Sequence, residues 1–380
     1  MWGANMDKKI LIAVAVAAIV VVAAVAAALM LSEDGNPKKS GTVYYVTVPP
    51  KDMRATLSTG AIDAYIAWEP FVSDSVVGDV GEILEWSDEI MPNHPCCVVA
   101  VSNSFASGPS GTELTLRFIK AHMEATEWMK DALGQSSSPE YTLLVSMAVQ
   151  FTQRNESVVK AAFEHIKYGY EMNTAFRSAL EQFTDMYIET NMTTNAFITA
   201  RGYAGVEDFV SRYVNGSYLD GVGSISPSST ILNPTNPIRL GYLLGDLHQM
   251  AQVVAQNSSV TGTGKSLFET YGLKVVNATG APFANGGAEM NGFAAGAVDM
   301  GYLGAPPAIL NHLNAGIGTS IIAQANSEGS GIVVSAGSGI TTLAGLVNKT
   351  VATPGESSIQ FLLLKIALQR EGFDLKIKTG

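Results

Sequence analysis

The chain has 380 residues, of which 47% are hydrophobic and only 15% charged, and its formal net charge is -11. That length allows two lobes, each with a core of its own. The acidic balance, with no basic stripe, excludes a nucleic-acid partner, because phosphate binding needs clustered Lys and Arg.

Residues 10–31 are an unbroken apolar run preceded by Lys8 and Lys9. As a helix rising about 1.5 Å per residue, the run covers roughly 33 Å, enough to span hydrocarbon. We expect a single-pass anchor over 10–31, with a cytoplasmic tail over 1–9 and a linker over 32–41. The body then lies outside the cell membrane. A cleaved signal peptide is the alternative, although its apolar region would be unusually long. Six Asn-x-Ser/Thr sequons, at Asn155, Asn191, Asn215, Asn257, Asn277 and Asn348, fit exposure outside the cell and fit chance in an Asn-rich chain.

Beyond the linker, "TVYYVTV" alternates as a strand and meets Pro49-Pro50, "KDMRATLSTG" reads as a helix closed by Gly60, and "AIDAYIAW" as a second strand. From 112 to 218 apolar residues recur at three and four, which predicts packed helices, one of them over "ESVVKAAFEHIKYGY". His122 and His165 lie in this region as packing or surface residues. The stretch 220–237 is rich in Gly, Ser, Pro and Asn and reads as a linker. After it, strands ("IRLGYLL", "LKVVNAT", "AVDMGYL", "SIIAQAN", "KTVATPG") alternate with helices of about ten residues, the pattern of parallel sheets. "GIVVSA" reads as a crossing strand.

One phrase occurs twice: "STGAIDAYIAWEP" at 58–70 and "AAGAVDMGYLGAP" at 294–306. Each is a helix end, a Gly reversal and a buried strand closing in a loop. Ligands of open α/β sheets bind beyond the carboxyl ends of the strands. The two copies are therefore expected to supply two walls of one cleft. "YLLGDLHQ", "FANGGAEM", "YLGAPPA", "QANSEGSG" and "ATPGESSIQ" are further small-residue turns at strand ends, where backbone amides can approach a ligand.

Taken with "GYLLGDLHQMA", "FANGGAEMNGFAAGAVDMGYLGAPPAIL", "KTVATPGESSIQFLLLKIAL", "VPPKDMRATLSTGAIDAYIAWEPF" and "DEIMPNHPCCVVAVS", the chain from 42 to 380 resembles the periplasmic solute-binding proteins of ABC importers. The class is the nitrate/sulfonate/taurine one, which also includes thiamine-pyrimidine binders. The resemblance implies an α/β, two-lobed periplasmic-binding-protein fold (type II-like) that closes on a small molecule. It also implies an ABC permease as partner. The family's segments stand here in inverted order, so the chain resembles a circular permutant. One lobe is expected from 42–90 and 342–380, the other from 91–219 and 238–341, with 220–237 joining the family's usual termini.

The expected ligand-binding residues are Asp246, His248, Asn285, Gly286, Gly304, Asn326, Glu328, Ser357, Ser358, Trp68 and Glu69. Acids outnumber bases at these loops, which favours a ligand carrying an amine or ring N–H over a bare anion, since anions recruit Arg. No nucleophile–base pair is legible, so no catalytic residue, metal or cofactor is expected. Cys96 and Cys97 are the only cysteines. Buried thiols, a strained vicinal disulfide and a metal site with His94 all stay open for them. Capture of a sulfonate/taurine-like or pyrimidine-like molecule for an importer is the leading function. The alternatives are a thiamine-pyrimidine synthase-like enzyme, whose cofactor lysine is missing from the site loops, and a membrane-tethered sensing module.

Overall fold

The computed structural model describes residues 40–379. The anchor expected over 10–31, its tail and most of its linker lie outside the described residues. Among the described residues, no helix is long and apolar enough to cross a membrane.

β1 (Thr42–Thr47) runs into Pro49 and Pro50. Pro50 opens the helix Pro50–Ser58, where a missing N–H leaves no bond unmade. Met53 and Leu57, one turn apart, form its buried face. The chain reverses through Gly60 at φ +73°, a left-handed conformation free of Cβ strain only for glycine. β2 (Ala64–Trp68) is buried at every position, as a strand covered on both faces must be. The helix Phe71–Val77 and β3 (Gly81–Trp86) complete this part.

The chain then crosses to a second sheet, which it enters as β4 (Cys97–Ser102). Helices Gly111–Leu133, Pro139–Thr152, Glu156–Phe163, Thr174–Glu189 and Val206–Tyr213 occupy the region expected to be helical. The third ends sooner than its periodicity predicts. β5 (Ile166–Tyr168) follows it and pairs in a two-stranded ribbon, with Ile166 and Tyr168 buried. Tertiary pairing here outweighs local helix preference. His122 is a core residue whose ring meets the Gln324 carbonyl and the Tyr302 hydroxyl. His165 stacks on Trp86 at 3.6 Å. Between 222 and 237 there is a 3₁₀ turn and no strand, and Ser228 and Leu232 tie this stretch to Thr270 and Gly272.

β6 (Ile238–Gly241), β7 (Val275–Asn277), β8 (Met300–Gly304) and β9 (Thr319–Gln324) join β4 in the order β7-β6-β8-β4-β9. β10 (Asn326–Glu328) pairs with β5 and carries the chain back. β11 (Ser330–Ser335), β12 (Thr350–Thr353) and β13 (Asp374–Ile377) complete the first sheet, in the order β13-β1-β12-β2-β11-β3. β1 lies between β12 and β13 and is parallel to both.

Two expectations need correction. The sheets are mixed rather than parallel, because β11 is antiparallel to β2 and β3, and β4 is antiparallel to β8 and β9. These are the crossing strands, and each arrives from the other lobe and so runs against its neighbours. In addition, β11 belongs with β2 and β3, so the second crossing falls at 325–329 and residues 330–341 move to the lobe that holds Trp68.

One buried acid is left over by this packing. Glu289, in the first turn of the helix Gly286–Ala294, is fully buried, and both its carboxyl oxygens lack a partner among the described residues. It fits because Gly241 of β6 and Gly301 of β8 have no side chain. A Cβ would stand 2.6 Å from Oε1 at the first position and 2.1 Å at the second. Burial, assisted by the charge of Asp246, pushes the carboxyl well above its ordinary 4.5, so it is held protonated. A carboxyl raised in this way takes up a proton on folding. Its stabilising contribution is complete below about pH 4.5 and is lost as pH rises towards the folded value, with a slope of up to about 1.4 kcal/mol per pH unit. Thermal melts from pH 5 to pH 8 should therefore show a shallower decline for Glu289→Gln than for the wild type. Parallel declines would mean that Glu289 is ionised in the fold.

Candidate functional site

Strands of both sheets end at one gap. Thr47 and Trp68 close β1 and β2, and β12 continues into Pro354 and Gly355. From the other lobe come Gly304, at the end of β8, and Leu243, Asp246 and His248, beyond β6. Together with Cys96 and Cys97 from the first crossing, these residues line a cavity of about 230 Å³. Each copy of the repeated phrase thus ends at this cavity, Trp68 from one lobe and Gly304 from the other.

Three helices begin at its wall. Asn285, Gly304 and Ser358 are the N-caps of the helices Gly286–Ala294, Ala305–Ala315 and Ile359–Arg370, and all three line the cavity. Asn285 Oδ1 accepts from the Ala288 amide at 2.9 Å, and Ser358 Oγ from the Phe361 amide at 3.1 Å. Gly286 and Gly287 stand in the first turn of their helix, ahead of the intrahelical bonds, and also line the cavity. First-turn amides and the helix dipole together add positive partial charge to this wall. Among the described residues no Lys or Arg lines the cavity. Trp68 is only 6% exposed, and its indole Nε1 has no partner among the described residues. A buried donor left unpaired costs about 1–3 kcal/mol.

Of the expected ligand residues, the structure brings Trp68, Asp246, His248, Asn285, Gly286, Gly304, Ser357 and Ser358 together around the cavity. Glu69, Asn326 and Glu328 do not line it. Glu69 is fully buried and caps the helix Phe71–Val77, accepting from the Ser73 amide at 3.0 Å and hydroxyl at 2.7 Å. Burial raises it to about 7, with the Ser73 hydrogen bonds pulling the other way. Asn326 and Glu328 lie in the second crossing segment. Asn326 Oδ1 accepts from the Cys97 amide at 2.9 Å, and Glu328 Oε1 accepts from the Asn93 amide at 2.8 Å and from Lys167 Nζ at 2.9 Å. All three hold the walls in place from behind.

Cys96 and Cys97 were absent from the expected set. Both are free thiols, buried, and at the cavity. Of the open readings, the vicinal disulfide is not formed, and the histidine clustered with the two thiols is not His94, whose Nδ1 meets the Pro95 carbonyl. The partner is His248, whose Nδ1 lies 3.1 Å from Cys96 Sγ. Its other nitrogen, Nε2, is 3.0 Å from the Gly329 carbonyl oxygen. Asp246 Oδ1 accepts from the His248 backbone amide at 3.0 Å and lies 3.7 Å from the ring, while its Oδ2 accepts from Gln249 at 3.1 Å. A hydrogen bond from Cys97 lowers the Cys96 thiol well below its usual range, against the effect of burial and with help from His248. Burial opposes the charged form of His248, but Cys96 and Asp246 outweigh it and raise the ring to about 9. Burial raises Asp246 to about 6 despite the favourable charge of His248. The three sulfur and nitrogen donors fall within 4.8 Å of one another, but the arrangement present is a hydrogen-bonded pair. No nucleophile–base pair is legible in the sequence, whereas the structure places a thiol and an imidazole in hydrogen-bond contact. A separation of 152 residues between Cys96 and His248 hid the pair, and no local spacing could have signalled it.

Comparison with curated proteins and with solved structures finds no match. The sequence model described as the NMT1-like family matches residues 8–138 and 233–379, which leaves out much of the helical region. With well over half of its length matched, the chain belongs to the NMT1-like family, within the nitrate/sulfonate/taurine-binding periplasmic protein group.

Proposed function

We propose that the protein is a membrane-anchored, extracytoplasmic solute-binding protein that captures one small organic molecule between its lobes and delivers it, unchanged, to an ABC importer. The observation that carries this reading is the cavity itself, where three helix N-termini converge from two lobes beside the Trp68 ring. Family membership supports the importer partner, and the apolar run over 10–31 supports the anchor. The inverted order of segments is read as a permutation. It finds support in β1 and β12, far apart in sequence, lying side by side in one sheet. The synthase-like alternative has no lysine at the cavity among the described residues.

The amine preference inferred from the acidic loops loses its basis. Glu69 and Glu328 lie behind the wall, and the Asp246 oxygens already accept from His248 and Gln249. The lining instead offers donors. We infer a ligand with an anionic or acceptor-rich end, such as a sulfonate, against the helix N-termini, and a planar or apolar body near Trp68. A pyrimidine, which has ring acceptors, fits the same set.

Calorimetry on the full chain in detergent, against alkyl sulfonates, taurine and pyrimidines, should find one molecule bound per chain. Mass spectrometry should recover it unaltered, and turnover of any of these compounds would sink the binding-protein reading. Trp68→Ala removes the aromatic body that lines the cavity. It should weaken binding by about tenfold or more, since burying a large apolar side chain is worth about 1.5–3 kcal/mol. Unchanged affinity would place the ligand away from Trp68.

A further inference from the structure

A site that only holds a ligand needs no nucleophile, yet this cavity has a thiol and an imidazole in contact. Cys96 Sγ and His248 Nδ1 are 3.1 Å apart, and both residues line the cavity. The tautomer follows from the other side of the ring. Nε2 faces the Gly329 carbonyl at 3.0 Å, and a carbonyl only accepts, so Nε2 carries a hydrogen. Nδ1 is therefore the nitrogen that exchanges a proton with the thiol. Gly329 is what permits this placement, because a Cβ there would stand 2.4 Å from Nε2.

The neighbouring thiol is placed differently. Burial, the hydrogen bond to Cys96 and the charge of Asp246, whose Oδ2 lies 3.7 Å from Cys97 Sγ, raise the Cys97 thiol well above its usual range, so it keeps its proton more readily than Cys96. The other ionisable groups around the pair are Asp246, Glu69 from the end of β2, His94 and Glu328 from the crossing segments, and Tyr168 from β5. Imidazole contact and access from a cavity are the conditions under which a cysteine becomes an effective nucleophile.

We propose that Cys96 is a nucleophilic thiolate site and that the cavity accepts low-molecular-weight disulfides, one half of which stays on Cys96 as a mixed disulfide. In this exchange the Cys96 thiolate attacks one sulfur of the small disulfide. A new S–S bond forms to Cys96 and the original S–S bond breaks. The departing thiolate takes the proton from His248 Nδ1 and leaves as a thiol, with His248 neutral. Cys96 is oxidised and the small disulfide is reduced by the same two electrons. The adduct fills the space that a transported molecule would use, so binding is blocked until a thiol reductant removes it. The inference rests on the Cys96–His248 geometry and holds whichever ligand the cavity carries.

The test treats the native full chain with 2-hydroxyethyl disulfide and, in parallel, with iodoacetamide, followed by intact-mass measurement and peptide mapping. The expected result is one modification per chain, on Cys96, present in Cys97→Ser and absent in Cys96→Ser, with dithiothreitol reversing the disulfide adduct. Wild-type rates should change less than about tenfold between pH 6 and pH 8, whereas an ordinary thiol near 8.5 changes by close to a hundredfold. Modification of Cys97 instead, a rate rising tenfold per pH unit through pH 8, or no native reaction with either reagent while the unfolded chain labels twice, would overturn the proposal. The wild-type rate profile does not depend on any variant folding.

Discussion

The two antiparallel segments that cross between the lobes are the constraint on which the remaining structure depends. The Cys96 amide donates to the Asn326 carbonyl at 3.1 Å, the Ala325 amide to the Cys97 carbonyl at 2.9 Å, and the Glu328 amide to the His94 carbonyl at 3.1 Å. Asn326 adds a side-chain bond to the Cys97 amide. This ladder fixes where β4 enters the second sheet and where β11 enters the first, and it sets both against the direction of their neighbours. It also brings Cys96 and Gly329 to either side of His248. Two connections, bonded to each other, tie the two sheets together along one line.

Helix placement adds to the electrostatics of the cavity beside the Cys96–His248 pair and Asp246. Each α/β unit ends its strand at the gap and starts a helix there, so the N-termini of three helices gather at one place. Their partial positive charge needs no counter-ion when the cavity is unliganded, unlike a buried Arg, and it remains available to an acceptor. Trp68 adds an aromatic ring from the other lobe.

The buried acids at and behind these walls are a separate population. Glu69, Asp246 and Glu289 are all buried and all raised, the first by burial against its Ser73 bonds, the second by burial against His248, and the third by burial with the charge of Asp246. A core that keeps protonated or hydrogen-bonded carboxyls beside a thiol–imidazole pair stores polarity where hydrophobic residues would pack at lower cost. Natural proteins commonly accept that penalty near functional sites, and here the polar groups surround the hinge and the cavity.

Much of the architecture was legible in the residues. Period-two alternation gave β1, the Pro and Gly punctuation bounded the helix Pro50–Ser58, and the repeated phrase located two strand ends, because these depend on neighbours within a few positions. Eight of the eleven expected ligand residues lie at the cavity, since loops after strands in an α/β fold share one edge. The sequence could not separate residues that face the cavity from those that brace it, as Glu69, Asn326 and Glu328 demonstrate. Nor could it show that the helix from Glu156 stops for a strand, or that residues 330–335 run antiparallel in the first lobe. The Cys96–His248 contact depends on two lobes meeting across 152 residues of chain. Local residue chemistry determined the elements and their ends, whereas long-range hydrogen bonding at the crossing decided which of those ends touch.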